Sequence, residues 1–290
     1  MTTHVQTPRS RVFTRRVAPA ILLLLTIGST VTAGALFMGD GSSFLRSLGR
    51  GSLFAIAVLL SMGAHAFGHY LVARRNAVDA SFPYFIPALT MAGIAGAYVK
   101  LSWPIEDRRA LIRIFTAGPI AGFLVSAVFL MAGTSLSQIT PKVPEGSFIL
   151  GNSLLILGFE KILFPGMKEG EEIMLHPLGL AGTIGLFFNL WHLFPAGRLD
   201  GGRVVYALFG YRAALVVSWV TIALLALLAV VWPGWLSVAV FAALTMIRLK
   251  RQHPVERHAQ RLDPVSLRLV WVMLAVLVLT FVPVPAKVSP

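Results

Sequence analysis

The chain has 290 residues, of which 56% are hydrophobic and only 13% are charged. Soluble domains carry roughly 25% charged residues, so this composition indicates a membrane protein. The formal net charge is +13, but the basic residues lie in short segments between apolar runs and are not interleaved with aromatic residues, so we expect no nucleic-acid partner.

Apolar runs of about 20 residues predict transmembrane helices. We place them at 17–38, 52–73, 110–133, 179–197, 213–232, 234–248 and 266–283. The sixth is the shortest, so the sequence predicts an all-α polytopic membrane protein with about six to seven spans. The first run follows a cluster of arginines as in a signal peptide, but a second span follows it, and we interpret it as a retained anchor.

The distribution of basic residues predicts the orientation. The segments before the first span and after the second, fourth and sixth spans hold most of the 25 lysine and arginine residues. Such residues concentrate in cytoplasmic loops, so we expect a cytoplasmic N-terminus and an extracytoplasmic segment over 134–178.

Two apolar stretches are too irregular to span the membrane. Residues 83–100 are rich in glycine and predict a short re-entrant hairpin in the cytoplasmic leaflet. Irregular backbone at membrane depth must be shielded by protein or line a wet cavity. Residues 147–165 are interrupted by glycine and charge, which favours an amphipathic helix on the membrane surface.

His65 and His69 lie four residues apart within the second predicted span. The chain has no cysteine, so histidine and carboxylate side chains are its strong zinc ligands. This spacing places both imidazoles on one helix face, and ionisable groups inside a membrane helix are costly unless something holds them. Core histidines bonded to their neighbours are the alternative, but we favour a metal site.

Asp200 is the predicted third ligand. It lies in the sequence LDGGR at the cytoplasmic end of the fourth predicted span, at the same depth as the histidine pair. Capping of a helix N-terminus, with Gly201 and Gly202 as the turn, is the alternative role for this carboxylate. Three protein ligands leave an open position for water, as in catalytic zinc sites.

HAFGH at 65–69 and FPAGRLDGGR at 194–203 together resemble the site-2 protease family, whose members are zinc metalloproteases that cleave transmembrane segments of other proteins within the bilayer. The resemblance covers about residues 52–210. Further stretches are similar to its bacterial and plastid-type branch: PYFIPAL at 83–89, RRALIRIFTAGPIAGF at 108–123 and HPLGLAGTIGLFFNLWHL at 176–193. It implies regulated intramembrane proteolysis, and we expect a multi-pass protein of the bacterial inner membrane.

By this resemblance His65, His69 and Asp200 bind one zinc ion per chain. The family's general base, a glutamate, corresponds to Ala66. An asparagine that holds the substrate backbone in the family corresponds to His192, and Asn189 lies one helical turn earlier. Either His192 or Asn189 contacts the substrate, or both line a polar cavity.

Alanine at position 66 removes the group that takes a proton from the attacking water. General base catalysis contributes ~10²–10⁴-fold, and no other carboxylate lies near in sequence. We therefore expect a metal-loaded, substrate-competent and nearly inactive protein. It is either a laboratory substitution or a natural pseudoprotease. Because both histidines and the LDGG sequence are intact, we favour the laboratory substitution.

A metal-dependent transporter or binding protein is the competing class, since polar residues at membrane depth and broken helices are also transporter features. We find no internal repeat, and an open three-ligand site fits hydrolysis better than ion release. A structural scaffold leaves the histidine pair unexplained.

The expected organisation has four parts: a basic N-terminal segment over 1–16, an anchor and loop over 17–51, a catalytic membrane core over 52–210 and C-terminal transmembrane helices over 211–290. The expected partners are the lipid bilayer and a transmembrane protein substrate, held as an added strand on the edge of the 83–100 hairpin. The sequence leaves open whether an adaptor or a homo-oligomer takes part.

Overall fold

The computed structural model describes residues 17–38, 43–102, 105, 107–141, 148–168, 170–247 and 261–288. The described part of the chain is mostly helical, with 69% of its residues in helices. The predicted basic segment over 1–16 lies outside the described residues. The helical class predicted from the composition is confirmed.

Eight helices form the body of the described chain. They are α1 Ala18–Met38, α2 Phe44–Arg75, α3 Arg108–Ser135, α4 Leu154–Leu163, α5 Pro177–Leu193, α6 Asp200–Leu228, α7 Gly234–Ile247 and α8 Pro264–Thr280. Side-chain caps set several of the starts: the Ser43 hydroxyl accepts from the backbone N–H of Arg46 at α2, and the Asp107 carboxylate accepts from that of Arg109 at α3. Proline at the first position of α5 needs no hydrogen-bond partner for its nitrogen.

Among the residues that the structure describes, six short strands accompany the helices, a detail that the all-α prediction missed. They are β1 Tyr84–Pro87, β2 Ile94–Tyr98, β3 Gln138–Thr140, β4 Phe148–Leu150, β5 Glu172–Met174 and β6 Ala286–Val288. They form three two-stranded antiparallel sheets, which pair β1 with β2, β3 with β5 and β4 with β6. The β1–β2 pair is the hairpin predicted over 83–100.

Within the described residues, four helices are long and apolar enough to cross a membrane, namely α1, α2, α3 and α6. The apolar helices α7 and α8 are shorter, and α5 has 17 residues. The prediction of six to seven spans therefore stays a prediction.

Helix α6 is two helices joined at a kink. Gly210 has φ of 82° and ψ of −178°, a backbone conformation that favours glycine. The first part carries Asp200, and the second part runs through the fifth span predicted at 213–232. The sequence analysis placed no span over the first part of α6, which lies between the spans predicted at 179–197 and 213–232.

Small residues let the central helices approach closely. A Cβ at Gly68 of α2 would lie 2.6 Å from the carbonyl oxygen of Ala117 on α3, so only glycine fits there without a shift. Around this contact, Leu111, Ile112 and Ile114 of α3 are fully buried in a core that includes residues of α6 and α8. Helices α2, α3 and α6 thus pack closely against one another around the histidine and aspartate side chains described below.

Arginines of α3 tie together one end of the helix bundle. Arg113 Nη2 lies 2.8 Å from Asp263 Oδ2 at the start of α8, and Arg109 Nε donates to the carbonyl oxygen of Arg261 at 2.9 Å. The sheets β3–β5 and β4–β6 lie in the segments that were predicted to be extracytoplasmic or C-terminal. Helix α4 has no buried residue, in agreement with the surface helix predicted within 147–165.

Candidate metal centre

His65 and His69 project from α2 into the space between α3, α5 and α6, and both are buried. Their Nε2 atoms lie 3.0 Å apart. The Nδ1 atom of His69 lies 2.8 Å from the carbonyl oxygen of Ile114, and that of His65 lies 2.7 Å from Oδ1 of Asn189. Each imidazole is therefore anchored through the nitrogen that faces away from the pair.

These anchors determine which ring nitrogen carries the proton. A carbonyl oxygen only accepts, so Nδ1 of His69 must donate to Ile114. The Nδ2 amide of Asn189 donates to the carbonyl oxygen of Pro119 at 2.9 Å, which turns its Oδ1 acceptor toward His65. Both neutral imidazoles are thus protonated at Nδ1, and two Nε2 lone pairs face each other across 3.0 Å.

Asp200 brings a third lone pair to the same point. Its Oδ2 atom lies 3.1 Å from Nε2 of His65 and 3.3 Å from Nε2 of His69. This oxygen is buried and has no hydrogen-bond partner among the described residues. Leu199 occupies the N-cap position of α6 and Asp200 is the first helical residue, so the alternative role of Asp200 as a helix cap is wrong.

The three ligand atoms fit a zinc ion. Nitrogen and oxygen ligands bind zinc at about 2.0–2.1 Å, which places two ligands of a tetrahedral ion about 3.3 Å apart. The measured separations of 3.0, 3.1 and 3.3 Å agree with this value. The buried carboxylate oxygen of Asp200 has no hydrogen-bond donor in the described part of the chain and faces two imidazole lone pairs. Such an arrangement is costly unless a cation lies between the three atoms. The hydrogen bonds at both Nδ1 atoms are the outer-shell contacts that orient metal-bound histidines.

Two glycines of α3 make room for the imidazoles. A Cβ at Gly118 would overlap Nε2 of His69, and a Cβ at Gly122 would lie 2.9 Å from Oδ1 of Asn189 and 3.0 Å from Cβ of His65. The sequence AGPIAG within α3 thus gives the histidine pair its space. The close approach also explains why the Pro119 carbonyl reaches Asn189.

The two remaining predicted site residues differ in exposure. Ala66 is 1% exposed, so the position of the family's general base is buried beside the ligands. The His192 side chain is 36% exposed, and its Nδ1 atom lies 3.5 Å from Oδ2 of Asp200. Its ring centroid lies 4.7 Å from that of His65. The structure therefore brings His192 to the edge of the metal centre.

Asn189 is enclosed between its two hydrogen-bond partners. It is 1% exposed, its oxygen accepts from His65 and its nitrogen donates to the carbonyl oxygen of Pro119. The amide in this position orients a candidate ligand. The predicted substrate contacts of Asn189 and His192 both stay predictions.

Arg108 was missed by the sequence analysis. Its Nε atom donates to the carbonyl oxygen of Ala207 at 3.0 Å, and its Nη2 atom to that of Leu208 at 2.8 Å. These carbonyls end the first part of α6, directly before the kink at Gly210. Arg108 therefore holds the C-terminal end of the short helix whose N-terminal end carries Asp200.

Arg203 is a second charged residue near the ligands. It is 7% exposed, and its guanidinium carbon lies 4.7 Å from the ring centroid of Phe115 on α3. Its Nε atom donates to the carbonyl oxygen of Arg198 at 3.2 Å, which closes the turn around LDGG. Arg108 and Arg203 both lie in the family-like stretches of the sequence, at 108–123 and 194–203. Their roles could not be predicted, because their partners are distant in sequence or are backbone carbonyls.

A family model described as "Peptidase family M50" matches residues 53–232, a region that contains all three candidate ligands. The chain belongs to peptidase family M50. The resemblance to the site-2 proteases, which rested on the two motifs, is confirmed. Membership and the apolar helices establish an integral membrane protein of a zinc metalloprotease family.

Three relatives illustrate the similarity to known proteins. Probable zinc metalloprotease EGY2, chloroplastic, of Oryza sativa subsp. indica is 32% identical over 194 residues, which are 64% of this chain and 34% of that protein. EGY1 of Arabidopsis thaliana is 34% identical over 170 residues, 55% of this chain and 30% of that protein. EGY3 of Oryza sativa subsp. japonica is 25% identical over 278 residues, 90% of this chain and 47% of that protein.

The chain spans about a third of the length of the first two of these relatives. All three relatives carry "chloroplastic" in their names, so the comparison gives no support to the predicted bacterial inner membrane. No solved structure matches the chain significantly.

Proposed function

We propose that this protein binds one zinc ion within the membrane through His65, His69 and Asp200 and holds transmembrane segments of other proteins beside it, with little or no peptide hydrolysis. The observation that carries the proposal is the convergence of two imidazole lone pairs and one buried carboxylate oxygen, at separations of 3.0–3.3 Å. Membership of a zinc metalloprotease family supports zinc as the metal.

We assign each residue of the site a separate role. His65, His69 and Asp200 hold the ion, and the Asn189 amide and the Ile114 carbonyl fix the two imidazoles in the required tautomer. Zinc at such a site polarises a peptide carbonyl and lowers the pKa of water. Ala66 offers no group to accept or pass on a proton, so the proton transfers of hydrolysis lack their relay.

A membrane-embedded substrate agrees with the position of the site. The ligands lie on α2 and α6, which are long and apolar enough to cross a membrane. The β1–β2 sheet has two strands, so each has an edge that its partner in the hairpin does not occupy. Phe85 of β1 is 3.5 Å from where a Cβ of Gly63 would be, two residues before His65. We propose that an unwound substrate segment adds to this hairpin.

The origin of Ala66 is best explained by natural loss of catalysis. A laboratory substitution that traps substrate requires a change at position 66 only. This chain also differs from the family pattern at His192, whose imidazole reaches the metal centre. Two departures at one site favour a natural binding protein over the laboratory substitution that the sequence alone suggested.

Metal analysis of the purified protein in detergent tests the proposal. We expect about one zinc per chain, and less than about a tenth of that in His65→Ala and in Asp200→Ala, because each substitution removes one of the three convergent ligands of a buried site. Asp263→Asn is the matched control, since it removes an aspartate that pairs with Arg113 outside the site. Zinc retained by a His65→Ala, Asp200→Ala double variant would refute the assignment.

A further inference from the structure

His192 stands where a hydrolytic site needs an open position. It lies near the end of α5, with its Nδ1 atom 3.5 Å from the Asp200 oxygen that also faces His65 and His69. The ring of His65 is its other polar neighbour, and the His192 side chain is partly exposed.

The distance from His192 to Asp200 is that of two ligands on one ion. Ligands of a tetrahedral zinc are about 3.3 Å apart, and the measured separation is 3.5 Å. The ring centroids of His65 and His192 are 4.7 Å apart with an interplanar angle of 55°, so the rings are not stacked on each other. The ligand atoms of His65, His69 and Asp200 lie within 4.8 Å of one another, and His192 lies at the edge of this group beside Asp200, so its side chain has to turn inward to reach the ion.

We propose that His192 is a fourth protein ligand and that this chain has a closed zinc site formed by His65, His69, His192 and Asp200. The inference rests on the proposed function, because it requires that zinc is bound. Structural zinc sites have four protein ligands, whereas catalytic sites keep one position for water or substrate.

A closed site explains both Ala66 and His192, the two residues that differ from the catalytic pattern of the family. When His192 occupies the fourth position, no water is activated there and a general base at position 66 has no substrate proton to move. The metal then serves to hold α2, α5 and α6 together, which explains why all three original ligands persist although the base is absent.

Cobalt substitution tests the closed site without reference to peptidase activity. Tetrahedral Co²⁺ absorbs visible light, and its spectrum changes when an added anion enters the coordination sphere. We expect the spectrum of the Co²⁺-loaded unmodified chain to be unaffected by azide. The His192→Asn variant should change its spectrum with azide and should bind Co²⁺ at least about tenfold more weakly in competition with a chelator, since even outer-shell losses cost 10–100-fold.

His176→Asn is the matched control. This histidine caps α5 at its other end, where its Nδ1 accepts from the backbone N–H of Leu178 at 3.3 Å, and asparagine is also a good N-cap. The control should retain an azide-insensitive spectrum and the original affinity.

The remaining outcomes separate the two proposals. A spectrum of the unmodified chain that shifts with azide, or a His192→Asn variant that binds Co²⁺ as tightly, overturns the fourth ligand and leaves zinc at a three-ligand site. Failure of the unmodified chain to take up Co²⁺ or Zn²⁺ overturns the proposed function as well.

Discussion

Asn189 fixes the tautomer of His65 through a 2.7 Å contact between its Oδ1 and the imidazole Nδ1. The orientation of the amide is itself fixed by the carbonyl oxygen of Pro119 on α3. Contacts between α2, α3 and α5 thus orient His65 so that the lone pair of its Nε2 faces Asp200.

Replacing Asn189 by leucine should weaken zinc binding by about 10–100-fold, the usual cost of losing an outer-shell partner of a metal-bound histidine. Chelator competition on the purified protein measures the change. Asn152→Leu is the control, because the Asn152 amide donates to Glu160 at an exposed position away from the site. Unchanged affinity in Asn189→Leu would show that the His65 tautomer is fixed by other means.

Gly118→Ala should reduce metal content and destabilise the protein. Its Cβ would overlap Nε2 of His69, and overpacking of a well-packed core costs about 1–3 kcal/mol. Metal analysis and thermal unfolding in detergent measure both effects. Gly28→Ala in α1 is the control, because a Cβ there meets nothing within 4 Å. Equal zinc content in the two variants would contradict the close approach of α3 to His69.

Ala66→Glu should restore little cleavage by itself, whereas Ala66→Glu with His192→Asn should cleave a membrane-embedded substrate segment at least ~10²-fold faster than the unmodified chain. The reason is that the double variant regains both the base and an open position. Gel analysis of a tagged transmembrane substrate in proteoliposomes measures the product. Strong cleavage by Ala66→Glu alone would refute His192 as a ligand but support the protease ancestry of the site.

The orientation is tested by cysteines, because the chain has none of its own. Thr140→Cys in β3 and Glu256→Cys, which lies outside the described residues, should react with a membrane-impermeant maleimide from opposite sides. We expect position 256 to react from the same side as the N-terminus. Labelling of both from one side would overturn the predicted topology.

The protein should lose stability in acid, because the stabilising contribution of ionised Asp263 is lost there. The Ser266 hydroxyl, followed by the Arg113 guanidinium, lowers the pKa of the Asp263 carboxyl to about 2 against an ordinary value of 3.8. A lowered pKa means that ionised Asp263 stabilises the folded state above pH 4, and this contribution is lost as the pH falls from about 4 to about 2.

Thermal unfolding of the unmodified chain and of Asp263→Asn at several pH values checks this prediction. The difference in melting temperature between them should be largest near neutral pH and should shrink below pH 4. A difference that does not depend on pH would show that the Asp263 contact contributes by packing and not by charge.

The sequence predicted those parts of the site that depend on local spacing. The i and i+4 positions of His65 and His69 on a helix, and the presence of Asp200 in LDGG, were sufficient to name three converging ligands. The hairpin at 83–100 followed from its glycines and prolines. In each case the signal lies within a few residues of the structural feature that it produces.

The features that the sequence did not reveal depend on contacts between distant segments. Asn189 orients His65 across 124 residues, and Arg108 reaches the carbonyl oxygen of Ala207 across 99 residues. A hydrogen bond to a backbone carbonyl leaves no mark on the sequence of its acceptor. The kink at Gly210 was not predicted, because a glycine does not show by itself whether helices continue on both sides.

The kink at Gly210 separates the segment that carries Asp200 from the long apolar part of α6. Asp200 rides on a ten-residue segment whose far end is held by Arg108 of α3, the helix that also contacts both imidazoles. A change in the tilt of the long apolar part of α6, the usual response of a membrane helix to a change in bilayer thickness, would therefore act beyond Gly210 and not directly on Asp200.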